Sequence, residues 1–90
     1  MNPIESKCCK IAEEHGFLSH KMGVDVSTGW PDRMFVGYGR VCLFVEFKRP
    51  KEPLRPRQVR KIKKFAERGI MVHVVDNMEY FENLIRTYKK

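Results

Sequence analysis

Apolar residues recur at Ile4, Cys8, Ile11 and Ala12, with His15 in line behind them. Steps of three and four put these side chains on one face of a helix. The pattern predicts a helix over residues 3–15, with Asn2 as cap, Pro3 in the first turn and Gly16 as stop. Residues 17–25 read as a strand, and 26–32, VSTGWPD, as turn-rich. RMFVGY and RVCLFVEF follow as two strands of a hairpin turning at Tyr38-Gly39. Residues 49–56, RPKEPLRP, hold three prolines and form a basic loop. Helical spacing returns over 56–68, with Val59, Ile62, Phe65 and Ala66 on the buried face and Gly69 as stop. IMVHVV reads as a buried strand. A last helix over 77–88, capped by Asp76 or Asn77, has Met78, Phe81, Leu84, Ile85 and Tyr88 as its apolar face. The order is α-β-β-β-α-β-α, a mixed α/β fold (α+β with a mixed sheet).

Polar residues on otherwise apolar faces change this picture. Glu5 sits at the edge of the first helix's apolar stripe, beside Cys8 and Ala12. Gln58 lies within the buried face of the second. Arg57, Lys61, Lys64 and Arg68 form a stripe of their own on that helix, turned away from its apolar face. Glu46 and Lys48 are two apart, so they share one face of a strand, opposite Val45 and Phe47. Pairing through the hairpin sets Asp32 beside residues 45–46 of the partner strand.

Ninety residues fit one domain, spanning 1–90, with a thin core that oligomerisation would supplement. No apolar run has the roughly 20 residues a membrane span needs, and the N-terminus lacks a signal-peptide core. Three cysteines, two of them adjacent, make no disulfide framework and suit a reducing cytoplasm. The three histidines are scattered, without zinc-site spacing. Residues 48–68 carry ten Lys/Arg against two Glu, a local +8, while the chain's net charge is +7, so the remainder sums to −1. Basicity this concentrated suggests a polyanionic partner, nucleic acid before membrane surface.

Two carboxylates within reach repel unless protonated or bridged by a cation. Oxygen donors favour Mg²⁺, which takes one or two protein carboxylates and leaves room for phosphate. A lysine beside them would face the phosphate and the attacking water. Gln58 would orient Lys48 or that water, and Glu5 would add a ligand from the first helix. Singly these signals are ordinary, for Pro-Asp is a common turn and Glu-x-Lys a common cross-strand pair. Together, with a basic helix between, they point to metal-dependent phosphodiester hydrolysis.

The residues Gly29-Trp30-Pro31-Asp32-Arg33, Phe44-Val45-Glu46-Phe47-Lys48, Leu54-Arg55-Pro56-Arg57-Gln58 and Gly69-Ile70-Met71-Val72-His73-Val74-Val75, with Lys21 before them, carry a resemblance. The sequence resembles the virus-type replication-repair nuclease (VRR-NUC) domain, a branch of the PD-(D/E)XK nuclease superfamily, in the stand-alone form of phages and bacteria. The resemblance implies a restriction-endonuclease-like core. It implies Asp32 and Glu46 as Mg²⁺ or Mn²⁺ ligands, with the Phe47 carbonyl and Glu5 contributing, and Lys48 and Gln58 as catalytic residues. It assigns Trp30 no role, leaving packing or an interface contact for it. The implied protein is a cytoplasmic homodimer, in a bacterium or phage-infected cell, that cuts flaps or four-way (Holliday) junctions in replication and repair. Arg49, Lys51, Arg55, Arg57, Lys61, Lys64 and Arg68 would grip the DNA. The competing reading is a non-catalytic module that binds nucleic acid through the same basic segment. An RNA substrate is compatible with these residues too.

Overall fold

A computed structural model describes residues 3–22 and 28–89. Its elements follow the expected order: α1 (Pro3–Glu14), β1 (Leu18–Lys21), β2 (Arg33–Val36), β3 (Cys42–Phe47), α2 (Pro56–Glu67), β4 (Val72–Val75) and α3 (Met78–Tyr88). The expected Asn2 cap and residues 23–25 of the first strand lie outside the described residues. The four strands form one sheet in the order β1-β2-β3-β4. The first two pairings are antiparallel, and β3 runs parallel to β4. Antiparallel neighbours need only short links, whereas the parallel pair needs a crossover, which α2 provides.

Alternation along β3 sorts the sheet into two unlike faces. Leu43, Val45 and Phe47 point to one, where they are buried with Phe35 of β2 and Val75 of β4. Cys8 and Ala12 of α1, and Phe81, Leu84 and Ile85 of α3, close over this face. The Phe35 and Phe81 rings meet edge to face at 5.2 Å, a favoured aromatic geometry. Phe44, Glu46 and, one residue beyond the strand, Lys48 belong to the other face. There Phe65 of α2 is buried and packs its ring against Phe44 at 5.2 Å.

Three expectations about burial need correction. On α2 only Phe65 is fully buried; Ile62 is partly covered, and Val59 and Ala66 are exposed. An amphipathic stripe tells which side of a helix faces the sheet, but one helix over four strands leaves its margins in water. Met78 and Tyr88, at the two ends of α3, are exposed for the same reason. Ile70 and Met71 precede β4 and are exposed, as is Val74. The run IMVHVV is half-buried because β4 is an edge strand, uncovered on its outer side.

Candidate active site

Register places the first carboxylate. Arg33 pairs with Val45 across β2 and β3, so the preceding residue, Asp32, stands at the level of Glu46. The Phe47 amide N–H donates to Asp32 Oδ2 at 2.8 Å and locks the acid against the end of β3. Gly29 brings the same loop onto α2. Its φ is +76°, and a Cβ added there would meet the Arg57 carbonyl oxygen at 2.4 Å, a distance only glycine tolerates. The loop that delivers Asp32 therefore touches the first turn of α2, one residue from Gln58.

Glu46 and Lys48 are buried at 3% and 6% exposure, though both carry ionisable groups. The Lys48 amide donates to the Val75 carbonyl at 2.8 Å, which keeps the chain beside β4 past the end of β3. Lys48 thereby stays on the face of Glu46, with Nζ 3.7 Å from Glu46 Oε2. The same oxygen accepts from Gln58 Nε2 at 2.7 Å. Gln58 is at the third position of α2, where its Oε1 accepts the Arg55 N–H at 2.8 Å and satisfies an orphan donor of the helix start. Only one orientation of the amide serves both bonds. Gln58 is thus at once a helix cap and a clamp on Glu46.

This crowding has an electrostatic cost. Burial and the neighbouring Asp32 charge push the Glu46 carboxyl up to about 7, with Lys48 offsetting part of the rise. Asp32 is raised as well, chiefly by burial, against the stabilising Phe47 N–H. Two acids held together and made hard to ionise are the donor set a hard divalent cation fits, since its charge relieves both the burial and the repulsion. Among the described residues no three His, Cys, Asp or Glu form a metal cage. A two-carboxylate site suits Mg²⁺ or Mn²⁺, which keeps positions for water and phosphate.

Glu5 is buried at the same end of the sheet, and its charge adds to the repulsion felt by Asp32 and Glu46. Its Oε2 is held by Arg33 Nε at 2.7 Å and approached by Lys21 Nζ at 3.6 Å. Arg33 and Lys21 are direct partners in the β1–β2 register, so two strands offer their cations to one acid. Sequence reasoning assigned Arg33 no role of its own; the pairing of 21 with 33 was the signal available. Phe47 enters the site through its N–H. Of the other cations, Arg49, Lys51 and Arg55 are exposed on the loop, Arg57 and Lys64 are exposed on α2, and Arg68 is exposed at its C-cap. Lys61 is half-buried, with Nζ 5.0 Å from the centre of the Trp30 ring.

No curated protein matches the chain. A solved structure described as a VRR-NUC domain superimposes with a TM-score of 0.83 at 28% identity, covering 94% of this chain and 92% of that one. The VRR-NUC domain family model matches residues 17–79. Asp32, Glu46, Lys48 and Gln58 fall within that stretch, and this chain belongs to the VRR-NUC family of nuclease domains.

Proposed function

We propose that the chain, as a single domain over residues 1–90, is a Mg²⁺- or Mn²⁺-dependent endodeoxyribonuclease that hydrolyses phosphodiester bonds in branched DNA. The observation that carries this reading is the convergence of Asp32, Glu46, Lys48 and Gln58 at one end of the sheet beside a helix of aligned cations. Asp32 and Glu46 would hold the cation, with the Phe47 carbonyl in reach of the same end of β3. When bound, such an ion supplies Lewis acidity at a phosphoryl oxygen and lowers the pKa of water. Lys48 presents a compact ammonium group, set by Glu46, to the phosphate and to the attacking water. Gln58 is a positioning residue that fixes the Glu46 carboxylate. Glu5 anchors the neighbouring cations Arg33 and Lys21.

Arg49, Lys51 and Arg55 on the loop and Arg57, Lys61, Lys64 and Arg68 on α2 supply the grip on the DNA backbone. A cytoplasmic homodimer, presenting two sites to a junction with two scissile strands, completes the reading. The test is a cleavage panel of flaps, forks, four-way junctions and linear duplexes with EDTA, Mg²⁺ or Mn²⁺. Nicked product should form only with metal and preferentially on branched substrates. Asp32→Ala and Lys48→Ala should each lower cleavage at least about a hundredfold, while DNA binding in EDTA persists. Salt-sensitive binding with no metal-dependent product on any substrate would favour the non-catalytic binding module instead.

A further inference from the structure

Trp30 is the only tryptophan in the chain, and it is 47% exposed two residues before Asp32. A large aromatic left in water beside a reactive centre asks for an occupant. Its surroundings indicate one. The ring is braced edge-on by Phe65 at 5.2 Å, and Phe65 is braced in turn by Phe44 at 5.2 Å. This row of rings ties the indole to the sheet, and Gly29 pins the preceding backbone to α2. Trp30 therefore stands as a fixed platform. Together with Lys61, Lys64, Phe65 and Arg68 it lines an open cavity of about 230 Å³.

That cavity is lined by two aromatic rings, Trp30 and Phe65, and three cations. We propose that it is a nucleotide subsite, in which an unpaired base of a single strand stacks on Trp30 while Lys61, Lys64 and Arg68 hold the adjoining phosphates. An apolar side chain would find the three cations a poor wall, and a duplex buries its bases between their neighbours. An unstacked nucleotide offers a π-face and negative charge side by side. Lys61 covers the ring face with its ammonium group at 5.0 Å. An exposed cation–π contact is worth less than base stacking, so a strand that offers Lys61 a phosphate gains the ring as well. At 1.5 Å per residue, Lys61 and Arg68 lie roughly 5 and 15 Å along the helix from Gln58. The stacked base then sits only a few nucleotides from the scissile phosphate, where a flap or fork leaves its strand unpaired.

This subsite refines the nuclease reading and is tested without cleavage. In EDTA, the wild-type protein is titrated with an oligothymidylate and with an abasic deoxyribose-phosphate chain of equal length. Binding is followed by anisotropy of a label on the strand, and stacking by the emission of Trp30. The oligothymidylate should quench Trp30 and bind roughly tenfold or more tighter than the abasic chain, which should bind without quenching. Trp30→Ala should bring the oligothymidylate down to the abasic affinity, and Trp30→Tyr should restore most of the difference. Equal affinity of the two chains for the wild-type protein, or unchanged emission at saturation with oligothymidylate, would overturn the subsite. A protein that shows the preference but never cuts would overturn the nuclease reading alone. One that cuts without the preference would overturn only the subsite.

Discussion

The two faces of the sheet are built to opposite rules. Towards α1 and α3, alternate strand residues meet two helices in a closed apolar layer containing Phe35, Val45, Val75, Phe81 and Ile85, all fully buried. Towards α2, the same strands present Phe44, Glu46 and Lys48 to a helix that buries one residue, Phe65. Burial of apolar area is what stabilises a fold of this size, and nearly all of it is on the first face. The second face spends its buried positions on charge, which costs stability unless paired. A thin domain can keep such a site because the other side of the same strands holds them in register.

The sharpest way to break this contrast is to hollow out the first face. Phe35→Ala should cost about 3–5 kcal/mol, comparable with the whole stability of a small domain. Thermal melts should fall by more than about 10 °C. A much smaller loss would show that the α2 side carries more of the fold than its packing indicates.

Next in size is a pH effect, because folding raises the proton affinity of Glu46 on one face and lowers that of His73 on the other. Glu46, faced by Asp32, Glu5 and Lys48, has its carboxyl raised from the ordinary 4.5 to about 7. Between those values the folded state keeps a proton that the unfolded chain releases. Its contribution to metal-free stability is full below about 4.5 and is lost as pH rises through 7, on the order of 2–3 kcal/mol. On the other face, burial lowers the pKa of His73 from 6.5, and its Nδ1 finds no hydrogen-bond partner among the described residues. The folded state there rejects a proton that the unfolded chain accepts, so stability is lost as pH falls below 6.5. Chemical denaturation in EDTA across this range should show Glu46→Gln flattening the alkaline fall and His73→Leu the acid one. If either substitution flattens the opposite limb, the assignment of groups to faces is wrong.

The smallest effect is expected from Val59→Ala. Val59 is 50% exposed on the uncovered margin of α2, so the change should move stability by no more than about 0.5 kcal/mol. A core-sized loss in a urea titration would mean that α2 is seated more deeply than the exposed Val59 and Ala66 indicate.

The order of elements was legible because helical and strand periods differ so clearly along this chain. So was the apposition of Asp32 and Glu46, since a short hairpin leaves little freedom of register. The position of Gln58 within an apolar stripe signalled a specific partner, and the structure supplies it in Glu46. The fate of Val59 and Ala66 was not legible, because periodicity gives the direction of a helix face and not the area that covers it. Nor was the Glu5–Arg33 pair, which joins residues 28 apart through the packing of α1 against the sheet. Periodicity put Glu5 at the edge of the buried stripe; only tertiary structure could say which cation met it.

Gln58 has a consequence for how a load on the protein would be felt. It rides on the same stiff rod as Lys61, Lys64 and Arg68, and it is fastened to Glu46 by a single 2.7 Å bond. If those three cations hold a strand as proposed, tension on it would pass through that bond to the carboxylate. Under the proposed reading, grip and chemistry would then share one mechanical linkage, and slack along the rod would be slack at Glu46.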